Sequence, residues 1–358
     1  MIETALIAEH RAAGARLAEV QGCLLAEQFS DFETEYRSGQ ESVALFDTGW
    51  HAVLLLTGRD RVKYLHAISS NNIQALAEGQ GTLALLLNPQ GRIQAEIEVY
   101  ALPEKLLVVS HASMRERTVA LLKKYVIGSQ VKIEDITEQM GSFAIEGPQA
   151  AAVVQEIFGA ALGEMVEMAA REISVDGIPC CLVRRSHFGG VGAELFAPRE
   201  GLAALWWKAL GGVRARGGEP IGMAAVNSLR LEAGVPWFPA DFNDGMIPHE
   251  AALENTHISF NKGCYTGQEI VERVRTRGHV NKKRVLLKFS GSEPPAAGTK
   301  LRVGSDEIGV VTSGAVSNGG GGAIGMGYVR REQFAAGSVV EFEGGTAEVR
   351  GEPVKVDR

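Results

Sequence analysis

Cysteine is scarce in this 358-residue chain. There are four, Cys23, Cys180, Cys181 and Cys264, with no C-x-x-C pair and no zinc-type spacing. A disulfide scaffold and a cysteine-rich metal centre are therefore excluded. Cys180 and Cys181 are adjacent in the apolar run 178–183, where neighbours on a strand face opposite ways and do not readily bond each other. Reduced thiols fit a cytoplasmic protein. The N-terminus begins Met-Ile-Glu-Thr, with acid where a secretion signal carries positive charge. No apolar run approaches the roughly 20 residues of a membrane span, so no membrane partner is expected. Positive charge is also in deficit. With 36 Lys and Arg against 43 Asp and Glu, the net charge of −7 argues against general nucleic-acid binding. Walker A, H-E-x-x-H and G-x-S-x-G sequences are all missing. The eight histidines are scattered without metal spacing, and no metal ligands are assigned.

Glycine, in contrast, is abundant at 43 residues, which with only 12 prolines indicates many tight turns. Residues 5–28, rich in Ala, Leu and Glu, read as one or two helices broken near Gly22, with Cys23 inside. Residues 82–100 form the clearest hairpin, turning at Asn88-Pro89-Gln90-Gly91. In its second strand Ile93, Ala95, Ile97 and Val99 alternate with Gln94, Glu96 and Glu98, giving one buried and one polar face. Ser113 and Glu116 have capping-box spacing and predict a helix to about Tyr125. Gly189–Gly192 leads into a strand rather than a helix, so it reads as a hairpin and not as a dinucleotide loop. From about residue 285 five or so short strands alternate with turns, one of them Gly319–Gly322, as in a small β-barrel. Mixed strands and helices followed by strands alone give an α+β body, residues 1–284, with a barrel at 285–358.

One segment concentrates reactive groups: Lys262-Gly263-Cys264-Tyr265-Thr266-Gly267-Gln268-Glu269. A cation beside a thiol favours its thiolate, and Lys262 with the first turn of the following helix is placed in sequence to do this for Cys264. Residues 272–288 then carry seven cations (Arg273, Arg275, Arg277, Lys282, Lys283, Arg284, Lys288) against Glu272 alone, a polarised stretch suited to a polyanionic partner.

The octad resembles the K-G-C-[YF]-x-G-Q-E signature of YgfZ-type folate-binding proteins, relatives of the glycine-cleavage T-protein (aminomethyltransferase) that take part in iron–sulfur cluster maintenance. Weaker likenesses run along the chain: Ala44–Asp47, Leu87–Ile93, Glu146-Gly147-Pro148, Gly192–Leu195, Leu229–Gly234 and Gly309–Ser313. The resemblance implies a T-protein-like fold, with two interleaved α+β subdomains and a terminal barrel around a tetrahydrofolate site. It implies that Glu194 grips the pterin and that Arg230 reaches the anionic part of the folate. It further implies that Cys264 is the functional thiol and that iron–sulfur client or assembly proteins are partners. The aminomethyltransferases carry paired aspartates where this chain has Ala95 and Glu96. Their F-D-V-S-H histidine is Trp50 here, able to stack on a ring. The first expectation is thus a folate-binding accessory protein. The alternative is a folate-dependent aminomethyltransferase with Glu96 as its catalytic carboxylate.

Overall fold

The computed structural model describes residues 1–317 and 321–351. The N-terminal segment corrects the helical expectation. Only Ile7–Ala12 is helical, and Arg16–Val20 and Cys23–Gln28 pair as an antiparallel hairpin, joined in parallel by Ile2–Glu3. The two-residue turn decides this. Gln21 and Gly22 both have positive φ, +51° and +86°, the twist that suits a tight hairpin. Cys23, Leu25 and Ala26 then bury against the body while Glu19 stays exposed.

Two larger sheets make the body. The six-stranded sheet runs in the order Ala170–Val175, Ile178–Val183, Gly192–Pro198, Met140–Glu146, Ala44–Asp47, Glu219–Pro220. The five-stranded sheet runs Gly81–Leu87, Ile93–Leu102, Lys105–His111, His51–Thr57, Lys132–Asp135. The chain enters the first sheet at Ala44–Asp47, leaves at His51 to build the whole of the second, and returns at Met140. The two units are therefore interleaved. Helices Ala150–Phe158 and Arg199–Arg214 cover one face of the six-stranded sheet through Val153, Val154, Leu202 and Trp206. Helices Arg61–Ile68 and Arg115–Lys123 flank the other sheet. Between the sheets Tyr100, Leu107 and Val109 pack on Cys181, Val183 and Phe196. Cys180 belongs to the opposite core, so the vicinal cysteines do face apart.

The hairpin at Asn88–Gly91 forms as expected, and Ile93, Ala95, Ile97 and Val99 are fully buried. The polar face is less simple, because Glu98 is buried too. Ser113 does not cap a helix through Glu116. It lies in a short 3-10 turn whose backbone is held by His111, and the helix begins at Arg115. The barrel closes with six strands rather than five, beginning at Lys282. Of the glycine tract expected as a turn, residues 319 and 320 lie outside the described residues. The helix Met223–Glu232 seats the barrel, Asn227 donating to Gly314 O at 3.1 Å and Ser228 to Val316 O at 2.5 Å. No helix among the described residues is long and apolar enough to cross a membrane.

Candidate functional site

The two sheets, the N-terminal hairpin and the loop after Met223–Glu232 meet around a cavity with about 720 Å³ of empty space, its open mouth included. The five-stranded sheet contributes His51, Glu96, Glu98, Val109, Ser110 and His111. The six-stranded sheet contributes Arg185 and His187 from the loop between its strands. The hairpin adds Val20, Gln21 and Leu25, and the loop adds Val235–Phe238. Trp50 and Trp237 form an aromatic wall, ring centroids 5.9 Å apart and tilted by 42°. Trp50 is buried, stacked on Phe46 at 6.5 Å, with its neighbours His51 and His187 turned edge-on to it.

Strand alternation delivers both Glu96 and Glu98 to this cavity. Glu96 Oε1 is 2.8 Å from His257 Nε2, and His257 Nδ1 is 2.7 Å from Thr256 Oγ1. Glu98 accepts from Arg185 Nε at 2.9 Å and from Tyr100 OH at 2.5 Å. Burial works to raise the Glu98 pKa, but the Arg185 and His51 charges outweigh it and hold Glu98 below the ordinary carboxylate value. Burial and the adjacent Glu98 anion push Tyr100 well above its usual value, so it remains a donor. His111 is driven down to about 4 by burial and the His51 charge, and is neutral near pH 7.

Glu194 stands behind the wall rather than in it. It is fully buried, and Oε1 accepts from Thr48 Oγ1 at 2.7 Å and lies 2.8 Å from His51 Nδ1. Oε2 lies 3.2 Å from His187 Nε2. Burial favours the neutral acid, yet the two imidazoles reverse this and hold the carboxyl far below its usual range. The expected open grip is thus replaced by a carboxylate already saturated by protein donors, with His51 and His187 facing the cavity in its stead.

Arg230 departs further from expectation. Its side chain is 1% exposed and forms an ion pair with Asp241 at 2.5 Å, with further bonds to Asn227 and Val235. Asp241 also accepts from Thr312 and Ser313 of the barrel. Arg230 reaches the site only through its guanidinium face, 4.1 Å from the Trp237 ring centre, so it stiffens the aromatic wall.

The octad divides by burial. Tyr265 is buried beside Leu87, Ile93, Phe242 and Phe238, the last of which also lines the cavity. Gly267 adopts φ +82° to start the helix Gln268–Arg277, and a Cβ there would come within 2.5 Å of Asn88 O. The octad therefore docks on the Asn88–Gly91 turn, and only a bare backbone fits. Cys264 is exposed and is not a cavity residue. Lys262 does not serve it. The ammonium turns inward to the carbonyls of His66 and Ser69, 4.9 Å from the Tyr265 ring centre, and burial lowers its pKa to about 8. A Cβ at Gly263 would meet only open space, and Glu269 pairs with Arg273 at 2.7 Å.

The basic stretch is largely matched by acids, some local and some from the preceding 250–254 segment. Arg275 pairs with Glu272, Lys282 lies 4.0 Å from Glu250, and Lys283 lies 3.9 Å from Glu254. Arg284 is buried, donating to Ala251 O. The Arg277 side chain lies outside the described residues. Among the described residues no cluster of three or more His, Cys, Asp or Glu side chains is placed to hold a metal ion.

Sequence reasoning missed His51, Glu98, Arg185, His187, Trp237 and Glu146. Glu98 was accessible to it, sharing the strand face of Glu96. Glu146 was not. Fully buried, it accepts from Ser186 Oγ at 2.6 Å and from the amides of His187 (2.6 Å), Phe188 (3.0 Å) and Gly190 (3.1 Å). One carboxylate fills a nest of loop donors and so fixes His187 against Glu194.

This architecture has known counterparts. The sequence matches the GCVT N-terminal domain over residues 6–262 and the glycine cleavage T-protein C-terminal barrel domain over residues 282–356. It is similar to the aminomethyltransferase of Rubrobacter xylanophilus, 29% identical over 329 residues covering 92% of this chain and 87% of the relative. That of Prosthecochloris aestuarii is 28% identical over 362 residues, covering 99% and 98%. The crystal structure of glycine cleavage system aminomethyltransferase T from Bartonella henselae superposes with a TM-score of 0.89 at 26% identity, covering 99% of this chain and 97% of that one. Interleaved sheets, a central cavity and a terminal barrel matched along the whole body make the chain a member of the glycine cleavage T-protein family.

Proposed function

We propose that the protein binds tetrahydrofolate or a derivative in the central cavity and acts, like the YgfZ-type proteins its octad resembles, as an accessory in iron–sulfur cluster assembly or repair. The cavity carries this reading. The Trp50–Trp237 wall and a rim of carboxylate, imidazole and hydroxyl groups suit a flat heterocycle with polar edges. In this reading Glu194 contributes to pterin recognition through His51 and His187, which it orients and polarises. Arg230 contributes by holding Trp237. The exposed Cys264 is the group offered to iron–sulfur client proteins, on a turn that Gly267 and Tyr265 anchor to the cavity wall.

Titration of tetrahydrofolate into the protein and its Glu194→Gln variant tests the binding. The amide sets a donor against an imidazole donor, and a loss of about 2 kcal/mol, roughly thirtyfold in affinity, is expected. Equal affinity would remove Glu194 from the site. The accessory role is tested by complementation. Cells lacking the native protein should recover cluster-enzyme activity with the parent chain and not with Cys264→Ser.

A second reading, aminomethyl transfer to folate, is favoured by Glu96, whose carboxylate faces the cavity, and by the names of the relatives. Glutamate extends the charge by a methylene relative to aspartate, and about 1 Å of misplacement can cost 100-fold. Turnover with an aminomethylated carrier is therefore expected to be absent. Robust turnover abolished by Glu96→Ala would replace the accessory reading.

A further inference from the structure

Two polar groups of the cavity have nothing to bond. Ser110 is 5% exposed, and its Oγ has no hydrogen-bond partner; Gln21, at the tip of the N-terminal hairpin, is half-buried, but its Oε1 is shielded from solvent and likewise unpartnered. Both residues line the same cavity, beside His111. A buried hydroxyl or amide oxygen without a partner costs free energy, so such groups are retained where something else satisfies them. Gln21 makes the case stronger. It holds a positive φ that glycine would adopt more readily, and its side chain lines the cavity. The adjacent His111 is neutral near pH 7, and its Nδ1 is engaged by Ser113 Oγ at 2.8 Å. The ionic groups Glu96, Glu98 and Arg185 are occupied by His257, Tyr100 and each other.

We infer that Gln21 and Ser110 form a hydrogen-bonding subsite for a neutral amide or lactam edge of the bound ligand, and that the N-terminal hairpin is thereby a binding element rather than only a cover. The inference rests on the folate reading above. Gln21 supplies an acceptor, Ser110 supplies a donor or acceptor, and an N–H beside a C=O satisfies both. A folate has two such edges, the lactam of the pterin ring and the amide linking its benzoyl group to glutamate.

The test uses the full chain with Gln21→Ala, Ser110→Ala and the double substitution. Because neither group bonds to protein, the ligand-free variants should melt at or slightly above the parent temperature. Tetrahydrofolate affinity should fall about five- to tenfold for each substitution. Tetrahydropterin, which lacks the benzoyl tail, separates the two sources. An equal loss with both ligands assigns the subsite to the lactam, and a loss confined to tetrahydrofolate assigns it to the benzoyl amide. If the parent binds tetrahydrofolate and all three variants bind it equally well, the subsite is refuted while the folate reading stands. If the parent itself fails to bind, both fall. A marked drop in ligand-free melting temperature would show that the two groups serve the fold, and would also overturn the inference.

Discussion

Glu194 and His51 are joined across the two sheets, Oε1 to Nδ1 at 2.8 Å, with both side chains shielded from solvent. The strand after Ala44–Asp47 leaves its own sheet at Thr48, and this contact stitches the departing chain back to Gly192–Pro198. The pair thus backs the wall of the cavity, which His51 lines, and forms the seam between the interleaved units.

The seam predicts a pH dependence with two limbs. Burial pulls the His51 pKa down, but the Glu194 carboxylate outweighs it and the net shift is upward from 6.5. A raised histidine contributes stability fully below the unfolded value and loses it as pH climbs through the folded one. Glu194 is shifted downward from 4.5, so its contribution is present above that value and fades as pH falls below it. The stability difference between the parent and Glu194→Gln should therefore be largest between about pH 4.5 and 6.5 and shrink on both sides. Breaking a buried pair of this kind costs about 3 kcal/mol. Denaturant titrations at a series of pH values would show it; a flat difference would mean that the pair is not ionised.

Glu146 should behave as the keystone of the 186–190 loop. Glu146→Ala leaves three amides and a hydroxyl without their acceptor, and a loss of about 3 kcal/mol is expected. Hydrogen exchange at His187, Phe188 and Gly190 should accelerate more than elsewhere. Uniform acceleration would show instead that the residue acts on the global fold.

Gly267→Ala should destabilise the protein by about 2 kcal/mol, from a left-handed backbone and a clash with Asn88 O. Limited proteolysis should then cut near Cys264 while the barrel stays intact. Wild-type stability in this variant would refute the docking of the octad on the hairpin turn.

The four thiols should separate sharply in reactivity. Cys23, Cys180 and Cys181 are buried, and burial pushes their pKa values up to about 11, 11 and 12. Cys264 alone is exposed. Alkylation with peptide mapping near pH 8 should label Cys264 first and leave the others until the protein unfolds. Early labelling of Cys181 would mean that the two sheets part in solution.

The sequence by itself determined what depends on neighbours along the chain. The hairpin at Asn88–Gly91 follows from turn chemistry and a period of two, the opposed faces of Cys180 and Cys181 from strand geometry, and the barrel from regularly spaced short strands. The octad was equally plain as a motif. What the tertiary structure decided is which charges are spent. Arg230, Lys262 and Glu194 all look available in the sequence, yet Asp241, two backbone carbonyls and two histidines consume them across 7 to 196 positions of chain. An ionic group is satisfied by whichever opposite dipole the fold brings within 3 Å, and sequence separation says nothing about that distance. The N-terminal hairpin shows the same limit. Helical propensity favours residues 5–28 as helix, but two positive φ angles and a buried face against the body outweigh it, because packing gains exceed intrinsic preferences of a few tenths of a kcal/mol per residue, roughly.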